Sequence, residues 1–369
     1  MKEKEEKRIL DYPLLVSSLV LVAIGLVSIY SASSLVSMHR YGDSFLFLKH
    51  QCITVLVGIV LLSIVYRIPY GVYRKMTYPI LFLGIVGLVL VFIPGVGRRI
   101  NGASRWIHLG FFSMQPSEFG KLGLLIYLSY SLEKKAPQIK KFSIGYLPHV
   151  LIGVLLASLV LLEPDLGTCL IYLALVFVLL FVAGVRIVYL VGTFACGVPI
   201  LYFLIRYVPY RLERMLGFLD PWRDPLNRGY HLIHSLLAIS SGGFWGVGLG
   251  NGHQKLFYLP EPHTDFILAV MGEELGLAGI AIVIILFGIL LWRGLRIARC
   301  APDLFGTYLA FGIITLICLE AVINMCVVVG LLPTKGLPLP FVSYGGSSLI
   351  MNIIGIGIVM NIGSYRGMI

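Results

Sequence analysis

Charge is scarce in this chain: 13% of its 369 residues are charged and 58% are hydrophobic, with a mean hydropathy of +0.92. So little charge excludes an ordinary soluble domain, in which about a quarter of residues are charged and about half are apolar. Acids are the scarcer sign, 18 against 29 Lys and Arg. The resulting +11 does not signal nucleic-acid binding, because Lys and Arg beside apolar segments are what membrane insertion itself selects. The six cysteines, Cys52, Cys169, Cys196, Cys300, Cys318 and Cys326, form no CxxC pair and stand at no zinc spacing. That removes a zinc site and a disulfide framework, and they read as packing residues. The glycine-rich run SGGFWGVGLGNG at 241–252 has neither a preceding strand nor a following GK[ST], so it is no phosphate-binding or dinucleotide loop. It reads as a loop that permits close backbone approach.

What the chain has in abundance is long apolar runs. With about 20 residues per crossing, ten spans are expected, at roughly 13–35, 47–66, 77–95, 115–132, 147–163, 167–185, 187–206, 264–292, 304–330 and 345–364. The fold class is therefore an all-α polytopic membrane protein forming one integral domain over 1–369. The first run exceeds the 7–15 residues of a signal-peptide core, roughly speaking, and is expected to be retained although Ser31, Ala32 and Ser33 mimic a cleavage site. Runs five and six meet at Glu163, Pro164 and Asp165, where proline ends one helix and forces a tight hairpin.

Orientation follows from the bases. An inward amino terminus puts Lys2, Lys4, Lys7, Arg8, Arg67, Arg74, Lys75, Lys134, Lys135, Lys140, Lys141, Arg186, Arg293, Arg296, Arg299 and Arg366 on the cytoplasmic side, 16 of the 29. Both termini are then expected to be cytoplasmic. The remainder, including Arg98, Arg99, Arg105, Lys121, Arg211, Arg214, Lys255 and Lys335, gathers in or near the outer segments. Positive charge kept on the unfavoured side points to an anionic ligand. The largest outer segment, 207–263 between spans seven and eight, contains HLIHSLLAIS at 231–240, helical in period and too short to span. An interfacial helix is expected there, leading into the glycine run.

Acids at membrane depth are costly unless paired or used, and they mark the candidate site. Asp265 lies where span eight begins, with Glu261, His263 and Thr264 on its approach; it is either a helix cap or a working carboxylate. Glu273 and Glu274 lie deeper, and at 100° per residue Glu273 is the one nearer the Asp265 face. Glu118 and Lys121, three residues apart, share a helical face, either as a burial-satisfying pair or with Lys121 meeting a phosphate. Asp165 is placed to cap the following helix, an explanation that Glu163 lacks. The segment 331–352, with three prolines, Lys335, Ser343, Tyr344, Ser347 and Ser348, is non-helical at membrane depth and so a candidate cavity wall.

Taken together, RRINGASRWIHLGFFSMQPSEFGKL (98–122), EPDLGT (163–168), PWRDP (221–225), SGGFWGVGLGNGHQKLFYLPEPHTDFI (241–267), GEELG (272–276) and LPTKGLPLPFVSYGGSS (332–348) resemble the SEDS family of integral-membrane peptidoglycan glycosyltransferases. Thr334 and Lys335 resemble its division-type branch, while His231 and His234 stand where members usually show glutamine. The resemblance implies a bacterial cytoplasmic-membrane enzyme of the septum that polymerises lipid II on the outer face into β-linked strands. Anomeric inversion and release of undecaprenyl pyrophosphate follow from an α-linked donor and a β-linked product. It implies Asp265 as the base for the acceptor hydroxyl, with Glu118, Lys121 and Asp165 at functional positions and Arg98, Arg105, Ser343 and Lys335 as substrate contacts. Its implied partners are lipid II, the growing glycan, membrane lipid, a class B penicillin-binding transpeptidase and other divisome membrane proteins. No cofactor is required by any spacing, and a magnesium or manganese ion bridging acids and pyrophosphate is compatible with the chemistry. A lipid II flippase is the rival reading; such carriers often show internal repeats or broken midplane helices. No repeat is evident here, and the motifs collect on one side.

Overall fold

The computed structural model describes residues 10–100, 103–109, 112–255 and 262–365; at 98–100, 103–104, 109 and 112 only the backbone is described. In order the elements are α1 (Tyr12–Tyr41), α2 (Leu46–Arg67), α3 (Gly71–Lys75), α4 (Thr77–Leu90), β1 (Gly97–Ile100), β2 (Ala103–Leu109), β3 (Phe112–Met114) and α5 (Pro116–Lys135). There follow α6 (Leu147–Leu162), α7 (Leu166–Val182), α8 (Ile187–Arg206), α9 (Pro209–Leu219), α10 (Tyr230–Gly242), α11 (Ile267–Arg299), α12 (Leu304–Val328) and α13 (Gly346–Ser364). Each of the ten apolar runs falls on a helix. Among the described residues seven helices are both long and apolar enough to cross a membrane, α6 counted together with the turns at 142–146 that lead into it, and α4 and α7 are shorter apolar helices.

Local chemistry sets the helix ends. Asp11 accepts a hydrogen bond from the Leu14 amide at 3.3 Å, Pro13 pre-sets the first turn of α1, and Gly42 closes it at φ 73°. Asp303 caps α12 through the Gly306 amide at 2.8 Å. α11 is broken at Gly276, where φ 66° and ψ −165° are open to glycine alone at low cost. The chief packing partners are α13 with α2, α11 with α12, α10 and α1, and α5 with α4 and α12. α8 stands apart: only Leu190 on it is buried.

One expectation is corrected. The chain is not purely helical, because 97–114 forms a three-stranded antiparallel sheet in the order β1-β2-β3, with Arg98 opposite Trp106 and His108 opposite Ser113. The helix expected at 231–240 is present as α10. The hairpin at 163–165, the sheet, α9, α10 and the 331–345 segment share one end of the helix bundle. At the other end Arg74 pairs with Glu133 at 3.2 Å, and Arg293 grips Asp11 at 3.0 and 2.7 Å.

Candidate active site

Asp265 lies at the loop-rich end, between the 335–344 segment and α12. It does not cap α11, whose N-cap is Phe266 with no side-chain cap bond. The capping explanation therefore falls away, and this half-buried carboxylate is held by the segments around it. Its Oδ2 lies against Gly336, where an added Cβ would be 3.3 Å away. The backbone at 263–265 is clamped: the Tyr344 amide donates to the His263 carbonyl at 2.9 Å, Ser343 Oγ to the Thr264 carbonyl at 2.6 Å, and Asn324 Nδ2 to the Asp265 carbonyl at 2.9 Å. Ser343, expected as a substrate contact, thus spends its hydroxyl proton on this clamp and accepts from the Leu339 amide at 2.8 Å.

Beside Gly336 opens a cavity of about 230 Å³. Arg105, Arg211, Arg214 and Lys335 line its polar part with Asp165, and Leu170, Leu201, Ile205 and Met215 line its apolar part. Arg105 reaches it from β2. Its guanidinium donates to the carbonyls of Glu163 (3.1 Å) and Pro164 (2.5 Å) and lies 3.6 Å from Asp165. Asp165 does cap α7, accepting from the Thr168 amide at 3.0 Å, so it serves the helix and the arginine together. Lys335 makes no ion pair with the described residues, and burial lowers its ammonium from the usual lysine range, with Asp165 and Cys169 partly opposing. Glu163, in the turn beyond α6, is 1% exposed, with neither carboxyl oxygen hydrogen-bonded to the described residues. Burial, then the neighbouring Asp165, pushes its carboxyl up to about 8 against partial relief from Arg105.

Beneath this layer, Lys121 is 1% exposed and pairs with Glu118 at 2.8 Å and with Glu320 of α12. The Glu118–Lys121 face is therefore a pair, as the spacing indicated. Its third member, Glu320, was missed, although an acid inside the apolar run 304–330 is the same signal that singled out Asp265. Tyr172 joins the layer by donating to the Ser117 carbonyl at 2.8 Å. The side chain of Arg98 lies outside the described residues, as does Glu261.

The two acids of GEELG serve the glycine-rich loop. Glu273 accepts from the amides of His253 (2.7 Å) and Gln254 (3.2 Å), and buried Glu274 pairs with Lys255 at 2.6 Å and accepts from Ser31 of α1 at 2.7 Å. Main chain completes the docking. Val247 and Gly248 amides donate to the carbonyls of Glu273 and Glu274, while Leu277 and Ala278 amides donate to those of Gly243 and Phe244. The break at Gly276 frees the α11 groups that make these bonds. His231 stacks on Phe266 at 5.9 Å and His234 Nδ1 lies 2.8 Å from Gln254 Oε1, so α10 braces both flanks of the Asp265 segment.

The family described as "Cell cycle protein", embracing FtsW, RodA and SpoVE, matches residues 12–367. A probable peptidoglycan glycosyltransferase FtsW of Trichlorobacter lovleyi is 47% identical over 352 residues, 95% of this chain and 92% of the relative. Stage V sporulation protein E of Bacillus subtilis is 41% identical over 355 residues, 96% of this chain and 97% of the relative. Among solved structures, a chain from a peptidoglycan synthase complex that coordinates polymerization and crosslinking superposes with a TM-score of 0.80 at 33% identity, covering 97% of this chain and 98% of its own. The rod shape determining protein RodA of Thermus thermophilus gives 0.71 at 30% identity, covering 97% of each chain. With a match along nearly its whole length, the chain belongs to the FtsW, RodA and SpoVE family of cell cycle proteins.

Proposed function

We propose that this chain is a peptidoglycan glycosyltransferase of the division-type branch, polymerising lipid II on the outer face of the bacterial cytoplasmic membrane. The observation that carries the reading is the contiguity of Asp265 with the cationic cavity across Gly336. Asp265 takes the proton from the acceptor sugar hydroxyl; that oxygen bonds to the donor's anomeric carbon from the face opposite the phosphate. The bond from that carbon to the diphosphate breaks, and its electron pair leaves on the diphosphate. Displacement in one step inverts the centre and needs no second nucleophilic carboxylate. Arg105 and Lys335, with Arg211 and Arg214 nearby, stabilise the departing charge in a site of low dielectric. The apolar wall between α7 and α8 suits the polyprenyl tail. Lys121 acts from the layer below, held by its two carboxylates, and Arg98 is assigned to substrate contact on sequence grounds. A magnesium or manganese ion between these acids and the diphosphate would draw most of its ligands from the phosphates, because among the described residues no three acid, histidine or cysteine side chains converge.

In this reading ten helices span the membrane with both termini cytoplasmic, and the protein works at the septum beside a class B penicillin-binding transpeptidase. The likeness to a chain of a peptidoglycan synthase complex supports that partnership. The test is polymerisation of fluorescent lipid II by purified protein, alone and with such a transpeptidase, read on a gel of glycan products. Wild type should form polymer and Asp265→Asn none, at equal expression. Polymer from Asp265→Asn would remove the base assignment, and lipid movement across vesicles without polymer would establish the flippase instead.

A further inference from the structure

We infer that Asn324 is a positioning residue that sets the reach of the Asp265 carboxylate, an inference that rests on Asp265 being the proton acceptor. Asn324 lies on α12 and is 1% exposed. Its Nδ2 donates both protons, one to the Asp265 carbonyl at 2.9 Å and one to the Leu337 carbonyl at 2.7 Å. One amide group therefore joins the segment bearing the base to the segment bearing Lys335 and Gly336.

The backbone explains why such a tie is needed. The helical ladder of α11 starts at the Phe266 carbonyl, which accepts from the amides of Ala269 and Val270. The Asp265 carbonyl lies outside that ladder, and the bond from Asn324 is what sets the tilt of its peptide. A tilt at residue 265 swings its carboxylate relative to the cavity, and a misplacement of about 1 Å can cost roughly 10²-fold in turnover.

The side chain also carries a cost that packing alone does not justify. Asn324 Oδ1 is buried with no hydrogen-bond partner among the described residues, and an unsatisfied buried acceptor loses its hydration without return. An apolar residue of similar size would avoid that loss. What it could not do is donate in two directions. Glu320 stands four residues earlier, on the same face of α12, and holds Lys121. α12 thereby fixes the acid-base pair of the lower layer and the base of the upper layer from a single rigid rod. Asn324 does not line the cavity, so its effect on substrate is exerted through Asp265 and the 335–337 segment.

The experiment compares full-length wild type, Asn324→Ala, Asn324→Asp, Asn324→Ser and Asp265→Asn in lipid nanodiscs. It measures kcat and KM for lipid II, lipid II binding and melting temperature. Asn324→Ala and the isosteric Asn324→Asp should lower kcat by about 10- to 100-fold, with KM and binding within about threefold of wild type. Asn324→Ser, which keeps one donor, should fall between them and wild type. Wild-type turnover in Asn324→Asp beside an inactive Asp265→Asn would overturn the positioning role alone. So would a loss of binding or of melting temperature that parallels the loss of kcat, since that marks a general structural role. Should Asn324→Ala fail to accumulate, Asn324→Asp decides the question. An active Asp265→Asn would overturn the base assignment and this inference with it.

Discussion

Replacing Lys255 by methionine isolates what one buried ion pair does for the site. Lys255 and Glu274 are 3% and 2% exposed, and their charged atoms are 2.6 Å apart. Ser31 Oγ lies 3.0 Å from the ammonium and 2.7 Å from the carboxylate. Lys255→Met leaves a desolvated carboxylate facing one hydroxyl. Removing a single partner of a buried pair costs about 3–5 kcal/mol, whereas replacing both partners by apolar groups of similar volume is close to neutral. At about 2 °C per kcal/mol for a large domain, the single variant should melt roughly 6–10 °C below wild type in detergent, followed by tryptophan fluorescence. The double variant Lys255→Met with Glu274→Leu should recover most of that loss. Polymerisation should follow the same pattern, because Lys255 is one of the anchors, with His253 and Gln254, of the segment leading to Asp265. If the single variant melted with wild type, or the double variant melted below the single, the pair would not be what holds the loop.

Three further outcomes follow from the geometry. Gly246→Ala should destabilise far more than Gly250→Ala: both have positive φ, +80° and +86°, but an added Cβ meets the Glu274 carbonyl at 2.1 Å in the first and nothing within 4 Å in the second. Thermal melts should show Gly250→Ala losing only about 1–2 kcal/mol of left-handed strain. Glu163, raised from 4.5 to about 8 on folding, favours the folded state when protonated, so its stabilisation is full below its unfolded value and is lost as pH rises through about 8. Wild type and Glu163→Gln should therefore melt alike in acid and diverge as pH climbs through that window, with the variant more stable at the alkaline end. Arg105→Lys keeps the charge but loses the fork that grips the Glu163 and Pro164 carbonyls; at about 1.5–3 kcal/mol per bond to a charged group, initial polymerisation rates at low lipid II should drop about tenfold or more.

The helices were legible because apolar length and the cost of bare backbone in lipid leave few alternatives. Charge placement was legible for the same reason: Glu118 with Lys121, and Asp165 at a helix start, obey spacing rules that act within one turn. The sheet was overlooked although a signal existed. Asn101–Gly102 lies between β1 and β2 in sequence, the strongest short-range hairpin cue, followed by the aromatic and β-branched pair Trp106 and Ile107. Glu320 and Lys255 were harder, since their partners are 199 and 19 residues away in the chain and helical periodicity cannot pair residues across elements. The bond from Ser343 to the Thr264 carbonyl joins residues 79 apart in the chain, which no local spacing rule reaches.

The first helix is fastened to α11 twice, by Asp11 with Arg293 at one end and by Ser31 with Glu274 at the other. Two rivets on a pair of rods fix their longitudinal register, and a slip of one turn, about 5.4 Å, would shear both. Ser31 precedes Glu274 by 243 residues, so the ribosome delivers one half of each rivet long before the other. Insertion of the amino-terminal helix is thus a commitment made early and redeemed late, and the chamber beside Asp265 takes its working shape only after α11 has arrived.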